Sequence, residues 1–545
     1  MKKLKVMVCC NVYPPGFLGG AEIIAHNQAK MLQKLGHEVL VFSGDIRYRE
    51  DKYRPLLEEF DGINVHRIRL VPEDYDLTKA LFAHKEIERQ FASILDEFYP
   101  DVVHFHNIIG FSVKIIAMAK EFGSRTVLTV HDHWGFCLKN TILKDDGSIC
   151  DDFAMCHNCM SHITPEEKGI APLRLRSDYF TLMFSYLDLI ISPSEYLANA
   201  YLSVGNRNVK TIKNGMNVAK YSRIEKICSD KVRFTFAGSF ARHKGVILIL
   251  KALTKLEKKE NVQVNLVGTG QELELYETFV AENNLFDYVK FWGRIPFNEM
   301  GRVYKETDVL ILPSIWPENQ PVSITEALAA SIPAIVSDVG GSKELVVNGK
   351  TGYVFENGNY EMLAQKMQCL IDDPELITEY GKNAYDSICD NTYERSADLI
   401  IEEYYKLLSG LDNCTHAKII AMNNLLPSVD EVDSINLLNL SEEYLLTYKG
   451  WLTDKQQSEI DALIILDEDE CIENYYQQMC DNKLIFALVS EKNAELSLLG
   501  RFSNGLVLVR NYQELYEMLG LYIKQPEIFD GFKEDLTKYI LTVSA

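Results

Sequence analysis

Residues 307–355 read TDVLILPSIWPENQPVSITEALAASIPAIVSDVGGSKELVVNGKTGYVF. Val309–Leu312 is an apolar run, as expected for a strand that is buried on both faces of a parallel sheet. A loop rich in Pro, Asn and Gln follows at 313–322. Good helix formers then begin at Ser323 with a capping residue in front, and Pro333–Ser337 is a second short β run. The stretch therefore predicts one βαβ unit.

Two carboxylates lie at the loop and the helix start of this unit. Glu318 is in the loop and Glu326 is in the first turns of the helix, with seven residues between them. Ligands of open parallel sheets bind beyond the carboxyl ends of the strands, where helix N-termini attract phosphate. Carboxylates are poor phosphate ligands but good acceptors for sugar hydroxyls. The pair therefore suggests a ligand with both polyols and phosphates, a nucleotide sugar.

The glutamate pair belongs to a longer pattern that resembles a known family. Together with EALAASIPAIVSDVGG at 326–341 and NGKTGYVF at 348–355, it resembles the C-terminal signature of retaining family-4 glycosyltransferases. The resemblance implies the GT-B fold, which has two Rossmann-like α/β domains facing a cleft. It also implies that Glu326 holds the ribose hydroxyls and that Glu318 holds the donor sugar hydroxyls.

The loop after the first glutamate departs from the family pattern. The resemblance implies that backbone amides of 320–323, including those of Val322 and Ser323, approach the sugar and the phosphates. The family usually has glycines directly after the first glutamate, where this chain has Asn319, Gln320 and Pro321. Proline lacks an N–H group, so the pattern of amide contacts must differ here.

Length, composition and charge limit the classes of protein to consider. The 545 residues correspond to about three units of about 150 residues each. Hydrophobic residues make up 47% and charged residues 25% of the chain, as in a packed globular protein. The net charge of −22 argues against nucleic acid as a partner.

The location of the protein is predicted from its cysteines and its apolar runs. Its 12 cysteines are scattered, so a reducing cytoplasm is expected. No apolar run approaches the ~20 residues that span a bilayer, and the N-terminal apolar run at 6–10 is interpreted as a strand rather than a signal peptide. The bases and apolar residues at 172–191 are interpreted as a packed helix that leads into the strand Leu189–Ser192, and a peripheral contact of this segment with the inner face of the membrane is left open.

The N-terminal segment has a Rossmann-like opening. Lys5–Cys10 reads as a strand, 12–20 as a loop and Ala21–Leu35 as a helix. GFLGGAE is not the dinucleotide motif G-x-G-x-x-G, and a tight turn alone would explain the glycines. In the family, however, a Gly-Gly loop at this place faces the donor phosphates, and Gly19 and Gly20 match it.

A histidine follows the predicted strand Thr126–Val130. His131 comes directly after this strand, and a polar residue at the carboxyl end of a parallel strand projects into the cleft. The family carries a histidine here that contacts the donor sugar near the reacting carbon, which implies a catalytic His131. His104 and His106 are expected to support the cleft wall or to meet the acceptor.

Four cysteines within 23 residues form a second candidate site. They fit a tetrahedral structural zinc site without a catalytic role. Reduced buried thiols, or two disulfides in a protein outside the cytoplasm, explain the same pattern. The four thiols are those of Cys137, Cys150, Cys156 and Cys159.

The second half begins with a phosphate-facing loop. FTFAGSFARHKG occupies 234–245, and Lys244 with the following glycine matches a family pattern directed at the diphosphate. Ser239 stands where arginine is usual, and Arg242 supplies a charge from the same loop. Cations that support a departing diphosphate make a metal unnecessary, so no cofactor is expected for catalysis. The family seats the base at the loop of Gly293 and Arg294.

The C-terminal tail resembles the 307–355 stretch. DALIIL at 461–466 echoes DVLIL, FALVS at 486–490 echoes PAIVS, and the later SNGLVLV follows the order of NGKTGYVF. Cys471 and Met479 take the places of the two glutamates. The tail is thus interpreted as a degenerate partial copy of the second domain, used for packing or protein contact without a donor site.

The predicted organisation has three parts joined by hinges at 193–215 and 385–393. They are an N-terminal acceptor-side domain at 1–192, with the Cys-rich insertion 137–159 and a crossing helix 393–408, a nucleotide-sugar-binding domain at 209–390, and the α/β module 411–545.

The predicted function is sugar transfer with retention from a UDP- or GDP-linked donor to a glycan or lipid-linked acceptor, in bacterial surface polysaccharide synthesis. A nucleotide-sugar epimerase or phosphorylase of the same fold and a non-catalytic nucleotide-sugar-binding scaffold are the alternatives. The predicted catalytic residues are His131, Lys244 and Glu318. The predicted donor-binding residues are Gly19, Gly20, Ser239, Arg242, Lys244, Gly293, Arg294, Glu318, Asn319, Gln320, Pro321, Val322, Ser323 and Glu326.

Overall fold

The computed structural model describes two compact units of the chain. The first contains two sheets and most of the residues before 405; the second contains the segment 114–124, the helix at 173–184 and the C-terminal strands. The described residues are 3–16, 19–45, 47, 52–71, 74, 84–144, 147–150 and 173–409, and the strands 418–422, 444–448, 460–465, 484–488 and 506–509.

The N-terminal half of the first unit is built on an eight-stranded sheet. Its order is β3-β4-β2-β1-β5-β6-β7-β8, and all pairs are parallel except the β3–β4 hairpin at one edge. The short central strands are buried throughout, as apolar runs between two layers require. The strands are β1 (Lys5–Cys10), β2 (Glu38–Asp45), β3 (Pro55–Phe60), β4 (Ile63–Arg69), β5 (Val102–Phe105), β6 (Arg125–Thr129), β7 (Leu189–Ser192) and β8 (Val209–Thr211).

The helices of this part of the chain alternate with the strands, as in doubly wound folds. They are α1 (Gly20–Lys34), α2 (Lys85–Phe98), α3 (Ile115–Glu121), α4 (Leu173–Phe184) and α5 (Glu195–Ser203). Of these, α3 and α4 belong to the second unit.

The second half of the first unit is a six-stranded parallel sheet with the order β11-β10-β9-β12-β13-β14. This is the 3-2-1-4-5-6 order of the Rossmann fold. The strands are β9 (Val232–Ala237), β10 (Val262–Val267), β11 (Val289–Gly293), β12 (Val309–Leu312), β13 (Ala334–Ser337) and β14 (Gly352–Phe355). The helices are α6 (Val218–Ser222), α7 (Val246–Lys255), α8 (Leu273–Glu282), α9 (Met300–Lys305), α10 (Val322–Ala329), α11 (Ser342–Leu345), α12 (Tyr360–Asp372) and α13 (Glu375–Ile388).

The central βαβ unit forms where the sequence predicts it, with one correction. Strand β12 has the predicted bounds, and every residue of β12 and β13 is buried. Helix α10 begins at Val322 rather than at Ser323, and Pro321 precedes it without a side-chain cap. The prediction of a side-chain cap was wrong because the proline side chain has no hydrogen-bond acceptor; its backbone carbonyl oxygen accepts from Ile324 N over 3.2 Å and from Thr325 N over 3.3 Å.

A long helix, α14 (Tyr393–Ser409), returns from the second sheet to the first. Tyr404 contacts His104 at ring-centroid distance 5.8 Å, and Gln28 Nε2 donates to the Tyr404 hydroxyl over 3.1 Å. The connecting segments run side by side at the start of this helix, where Met216 bridges to Thr392. The first and second sheets are therefore joined by two adjacent strand-like segments and by α14.

The second unit contains a five-stranded parallel sheet with the order β16-β15-β17-β18-β19. Its strands are β15 (Lys418–Met422), β16 (Tyr444–Tyr448), β17 (Ile460–Ile465), β18 (Leu484–Leu488) and β19 (Leu506–Val509). The order β15-β17-β18-β19 repeats the order β9-β12-β13-β14, in agreement with the internal repeat. Cys471 and Met479, which the repeat aligns with the glutamates, lie outside the described residues.

Two further predictions concern features away from the sheets. Among the described residues, no helix is both long and apolar enough to cross a bilayer. Cys137 and Cys150 are half-buried thiols, whereas Cys156 and Cys159 lie outside the described part of the chain. No group of three or more potential metal ligands occurs among the described residues, so structural zinc remains a prediction.

Candidate active site

The first glutamate of the pair is held by two neighbours from the same sheet edge. Lys244 Nζ lies 2.6 Å from Glu318 Oε1, and Ser314 Oγ donates to the same oxygen over 2.8 Å. The Lys244 and Glu318 side chains are only 19% and 10% exposed. Lys244 follows β9 and Glu318 follows β12, and these strands are adjacent and parallel. The structure therefore places a paired cation and anion at the carboxyl ends of two neighbouring strands.

An aromatic side chain covers this ion pair. Lys244 Nζ lies 5.1 Å from the centre of the Trp316 ring, and the His243 ring meets the same indole edge-on at 5.0 Å. Gly245 has φ +67°, and a Cβ there would lie 2.1 Å from Pro313 O. Glycine thus allows the lysine loop to pack directly against the loop that carries Glu318.

Two glycines after β13 pack closely against the backbone of the Glu318 loop. A Cβ on Gly340 would lie 2.4 Å from Glu318 O, and one on Gly341 would lie 2.0 Å from Asn319 O. Gly341 N also donates to Glu318 O over 2.6 Å. The Gly-Gly pair of the sequence signature is therefore required by the close approach of two backbones.

The second glutamate is clamped by two phenols. Glu326 is 3% exposed; Tyr221 OH donates to Oε1, and Tyr304 OH donates to Oε2 over 2.7 Å. Burial raises the pKa of Glu326, while the two phenol hydrogen bonds act to lower it. Lys220 Nζ lies 3.2 Å from the Tyr221 hydroxyl and 4.7 Å from the Phe297 ring centre. The carboxylate is thus oriented by two phenols, and each oxygen keeps a lone pair for a ligand.

His131, which the sequence predicts to be catalytic, is hydrogen-bonded to the Glu318 loop. Asn319 Nδ2 donates to the His131 carbonyl oxygen over 2.7 Å. The residue His131 as a whole is partly exposed, and its Nε2 lies 3.0 Å from His106 Nδ1. Burial lowers the pKa of His131 to about 4. A residue with a neutral imidazole is therefore hydrogen-bonded to the loop that carries Glu318.

Two helix N-termini also face one another at this place. A Cβ on Gly20, the first residue of α1, would lie 3.8 Å from Val322 Cγ2, at the first residue of α10. Glu22 accepts a hydrogen bond from Gly19 N over 2.9 Å. Helix N-termini carry positive partial charge and unpaired N–H groups. The arrangement provides amides from both domains for an anion.

A buried arginine supports the loop that leads to Gly19. Arg67 is 1% exposed; its Nη1 donates to Tyr13 O over 2.8 Å, its Nη2 donates to Pro14 O, and its Nε pairs with Glu58. A buried guanidinium needs such partners for its donors. The loop after β1 is therefore fixed from behind by a residue of β4.

The remaining predicted residues are less closely connected. Ser239 and Arg242 are exposed on the loop after β9, and Gly293 (φ +68°) and Arg294 are exposed after β11, at the same edge of the parallel sheet. Within residues 173–409, no hydrogen bond or ion pair joins Arg242 or Arg294 to either glutamate.

The side chain of Gln320 has a partner away from the glutamates. It accepts from Asn214 N over 2.7 Å and donates to Asn214 O over 2.9 Å. Asn214 O also accepts from Asn391 Nδ2 over 2.9 Å. The structure therefore places the Gln320 side chain against the connection between the domains.

Buried polar atoms without a hydrogen-bond partner gather around this site. An unsatisfied buried polar atom costs about 1–3 kcal/mol, so each is a position where a ligand group would be favourable. Within the described residues, those near the Glu318 loop and its supports are His106 Nε2, Trp316 Nε1, Asn319 Oδ1, Ser342 Oγ and Asn357 Oδ1.

Several of these site residues were not found by sequence reasoning. Tyr221 and Tyr304 approach Glu326 from 105 and 22 positions away, and no short motif links them to it. Trp316 and Ser314 lie within four residues of Glu318, so their nearness in the chain was a usable signal. Arg67 carried no sequence signal that separates it from a surface arginine.

Comparison with solved structures identifies the class of fold. Alr3699/HepE from Anabaena, solved in complex with UDP, matches with TM-score 0.53 and 17% identity over 74% of this chain and 100% of that chain. Sucrose-phosphate synthase from Thermosynechococcus elongatus matches with TM-score 0.56 and 18% identity over 75% and 100%. Together with the two parallel-sheet domains, these similarities confirm the GT-B fold.

Sequence relatives identify the family. The family model described as "Glycosyl transferases group 1" matches residues 217–387, and that described as "Glycosyltransferase Family 4" matches residues 18–220. An uncharacterized glycosyltransferase of Methanocaldococcus jannaschii is 25% identical over 71% of this chain and 97% of its own length. N-acetyl-alpha-D-glucosaminyl L-malate synthase of Bacillus anthracis is 23% identical over 74% and 96%. The chain is a glycosyltransferase of the group 1 and family 4 type.

Proposed function

We propose that this glycosyltransferase moves a sugar from a UDP- or GDP-linked donor to a glycan or lipid-linked acceptor, with retention of the anomeric configuration. The observation that carries the proposal is the Lys244–Glu318 pair, in which Glu318 lies in the loop that Asn319 joins to His131. A cation for diphosphate, a carboxylate for hydroxyls and a neutral imidazole are thus brought to one place. The relatives solved with UDP and with UDP-glucose support a nucleotide-sugar donor.

Donor binding would exchange the partners of the ion pair. Lys244 is close to Glu318 and can turn toward an incoming diphosphate, which leaves Glu318 to accept hydrogen bonds from the sugar hydroxyls. The unpaired amides of Val322 and Ser323 at the start of α10 would face the phosphates. Glu326, oriented by Tyr221 and Tyr304, would accept the ribose hydroxyls.

The chemical step would rest on orientation and on support of the departing diphosphate. The bond between the anomeric carbon and the phosphate oxygen breaks, and the acceptor oxygen bonds to the same face of that carbon. The acceptor proton passes to an oxygen of the departing diphosphate. Lys244 and the amides of α10 stabilise the charge that develops there, while His131 contacts the sugar.

The first experiment is a stability screen of the full chain against nucleotide diphosphates and nucleotide sugars, because a ligand that binds only the folded state raises Tm. The best donor is then incubated with candidate acceptors, and the anomeric configuration of the product is read by NMR. We expect transfer with retention. Inversion would contradict the mechanism, although the protein would remain a transferase.

Three variants test the assigned roles. Glu318→Ala and Lys244→Ala should each lower kcat by about 10²–10³-fold, the usual effect of losing one preorganised electrostatic partner. Lys258→Ala is the matched control, because Lys258 pairs with Asp372 over 3.4 Å at the surface. Equal activity of all three variants would refute the roles of Lys244 and Glu318.

The same assay separates the alternatives. An epimerase would convert the donor into its epimer without an acceptor, and a scaffold would bind the donor without turnover. Bacterial surface polysaccharide synthesis is proposed as the setting, and a lipid-linked acceptor that outcompetes free sugars in this assay would support it.

A further inference from the structure

Three imidazoles with nearly parallel ring planes form a column behind the candidate active site. The His104 and His106 ring centres lie 4.8 Å apart with an interplanar angle of 14°, and those of His106 and His131 lie 5.3 Å apart at 20°. His104 and His106 come from the end of β5, and His131 follows β6, its parallel neighbour. The innermost two rings are 0% and 1% exposed.

The ring at the far end of the column has a settled proton position. Gln28 Nε2, an amide donor, lies 2.8 Å from His104 Nδ1, so this nitrogen accepts. His104 Nε2 therefore carries the proton and donates to Thr129 Oγ1 over 2.7 Å. His104 is thus fixed at both ring nitrogens, and its plane supports the ring of His106.

The hydrogen bond between His106 and His131 allows two arrangements. In one, His106 Nδ1–H donates to His131 Nε2, and the buried His106 Nε2 is an acceptor without a partner. In the other, His131 Nε2–H donates, and His106 must carry its proton on Nε2. No described residue accepts from His106 Nε2. For backbone groups, orphaned buried N–H donors are rarer than under-satisfied acceptors, and the same preference applied to the ring favours the first arrangement.

We propose that His106 is a positioning residue that donates from Nδ1 to His131 Nε2 and thereby holds His131 with its proton on Nδ1. His131 then presents an N–H group to the cleft. The tautomer follows from the buried hydrogen bonds alone, whereas its effect on the donor sugar rests on the proposed function.

The three imidazoles of the column are neutral, which agrees with His131 acting as a hydrogen-bond donor. Burial lowers the pKa of His104 to about 3 and that of His131 to about 4, and it lowers the pKa of His106 well below its usual value. The rings are therefore neutral at physiological pH. The residue His131 as a whole is partly exposed, and within the described residues its Nδ1 has no hydrogen-bond partner. A neutral Nδ1–H donates a hydrogen bond to a sugar oxygen, and it does not remove a proton.

The direct test is ¹⁵N NMR of the full chain with labelled histidine, in which protonated and unprotonated ring nitrogens have distinct shifts. The His131→Gln variant assigns the His131 signals by their loss. We expect wild-type His131 to be protonated at Nδ1 and unprotonated at Nε2. A proton on Nε2, or fast exchange between the two tautomers, would overturn the proposal.

A matched pair of variants tests the function of the tautomer. Asparagine at 106 places an amide donor near the Nδ1 position, whereas aspartate of the same shape can only accept when ionised. We expect His106→Asn to keep the Nδ1–H tautomer and most of the activity. His106→Asp should shift the His131 proton to Nε2 and lower kcat by about 2–10-fold, the value of one hydrogen bond between neutral groups.

Measuring both the His131 tautomer and kcat tests two hypotheses separately: that His106 sets the tautomer, and that His131 takes part in sugar transfer. If His106→Asp moves the proton without changing kcat, the tautomer stands and the role of His131 in transfer is refuted. If kcat falls equally in both variants while the His131 tautomer is unchanged, His106 has a packing role and the positioning proposal is refuted. A folding defect in His106→Asp leaves the wild-type NMR result as the deciding measurement.

Discussion

Asn319 Nδ2 lies 2.7 Å from the carbonyl oxygen of His131, a residue 188 positions earlier in the chain and on the other domain. The bond fixes the orientation of the amide, because the nitrogen must face the carbonyl. Asn319 Oδ1 is consequently left buried, without a partner among the described residues. One side chain therefore both joins the two domains and offers an acceptor to a hydroxyl group.

Replacement of Asn319 should weaken catalysis more than it weakens folding. In Asn319→Asp the carboxylate cannot donate to His131 O, and in Asn319→Ala both functions are lost. We expect kcat/KM to fall by about 10–100-fold in each variant, since a buried carbonyl loses its partner and the domains lose a contact that aligns His131 with Glu318. Steady-state kinetics with the donor found in the stability screen measures this.

Asn383→Ala is the control for this prediction. Asn383 Nδ2 also donates to a backbone carbonyl, that of Lys350, over 3.0 Å, but on the exposed side of the second domain. Its loss should leave kcat/KM within about twofold of the wild type. Comparable losses in Asn319→Ala and Asn383→Ala would show that the contact with His131 has no special role.

A second prediction concerns Gly340, which packs against the backbone of the Glu318 loop. Gly340 has φ +64°, and a Cβ there would lie 2.4 Å from Glu318 O. Gly349 has a similar φ of +72° but no atom within 4 Å of such a Cβ. Both alanine variants should lose about 1 kcal/mol through backbone strain, and only Gly340→Ala should also displace the loop.

The two alanine variants are compared by thermal unfolding and by donor affinity. Gly340→Ala should bind the nucleotide sugar at least tenfold more weakly, because Glu318 and Asn319 move together. If Gly349→Ala loses as much donor affinity as Gly340→Ala, strain rather than the close approach explains the effect.

A third prediction concerns the phenols around Glu326. Tyr221→Phe and Tyr304→Phe each remove one hydrogen bond to the buried carboxylate. We expect the affinity for the nucleotide diphosphate to fall by about 10–100-fold, with a smaller change in kcat. Titration calorimetry measures the affinity, and Tyr353→Phe is the control because, among the described residues, the Tyr353 hydroxyl meets only that of Tyr380, at 3.4 Å.

A 2′-deoxy nucleotide tests whether Glu326 acts on the ribose. The wild type should lose affinity for the deoxy compound, and Glu326→Ala should bind both compounds equally. If Glu326→Ala still discriminates between them, another group holds the ribose.

The histidine column predicts how stability depends on pH. The folded pKa values of His104 (about 3), His106 (well below the usual value) and His131 (about 4) lie below the ordinary value of 6.5. The unfolded chain therefore binds more protons in this range. The stabilisation is fully present above pH 6.5 and is lost as the pH falls toward 4.

Each such histidine changes the unfolding free energy by up to about 1.4 kcal/mol per pH unit. The three together give up to about 4 kcal/mol per pH unit, a slope that chemical denaturation between pH 5 and 6 would measure. His104→Gln should reduce the measured slope by up to about 1.4 kcal/mol per pH unit, whatever the stability of the variant itself. An unchanged slope in this variant would show that His104 is protonated in the folded protein.

The order of strands and helices could be predicted because it depends on nearby residues. Lys5–Cys10, Leu189–Ser192 and Val309–Leu312 form strands with the predicted bounds, since each is a short apolar run with turn or polar residues next to it. The GT-B fold and the glycosyltransferase class were implied by the resemblance of the 307–355 pattern to family-4 glycosyltransferases. The start of α10 was missed by one residue because a proline replaced the expected polar cap.

The sequence by itself determined which residue types stand at the carboxyl ends of the strands, because those positions follow directly from the alternation of apolar runs and loops. Only the tertiary structure decided which of these side chains meet. Asn319 joins His131, two phenols clamp Glu326, and Gln320 turns to the inter-domain connection. Contacts between residues 22 to 188 positions apart depend on how sheets and helices pack, and no local pattern in the chain encodes that packing.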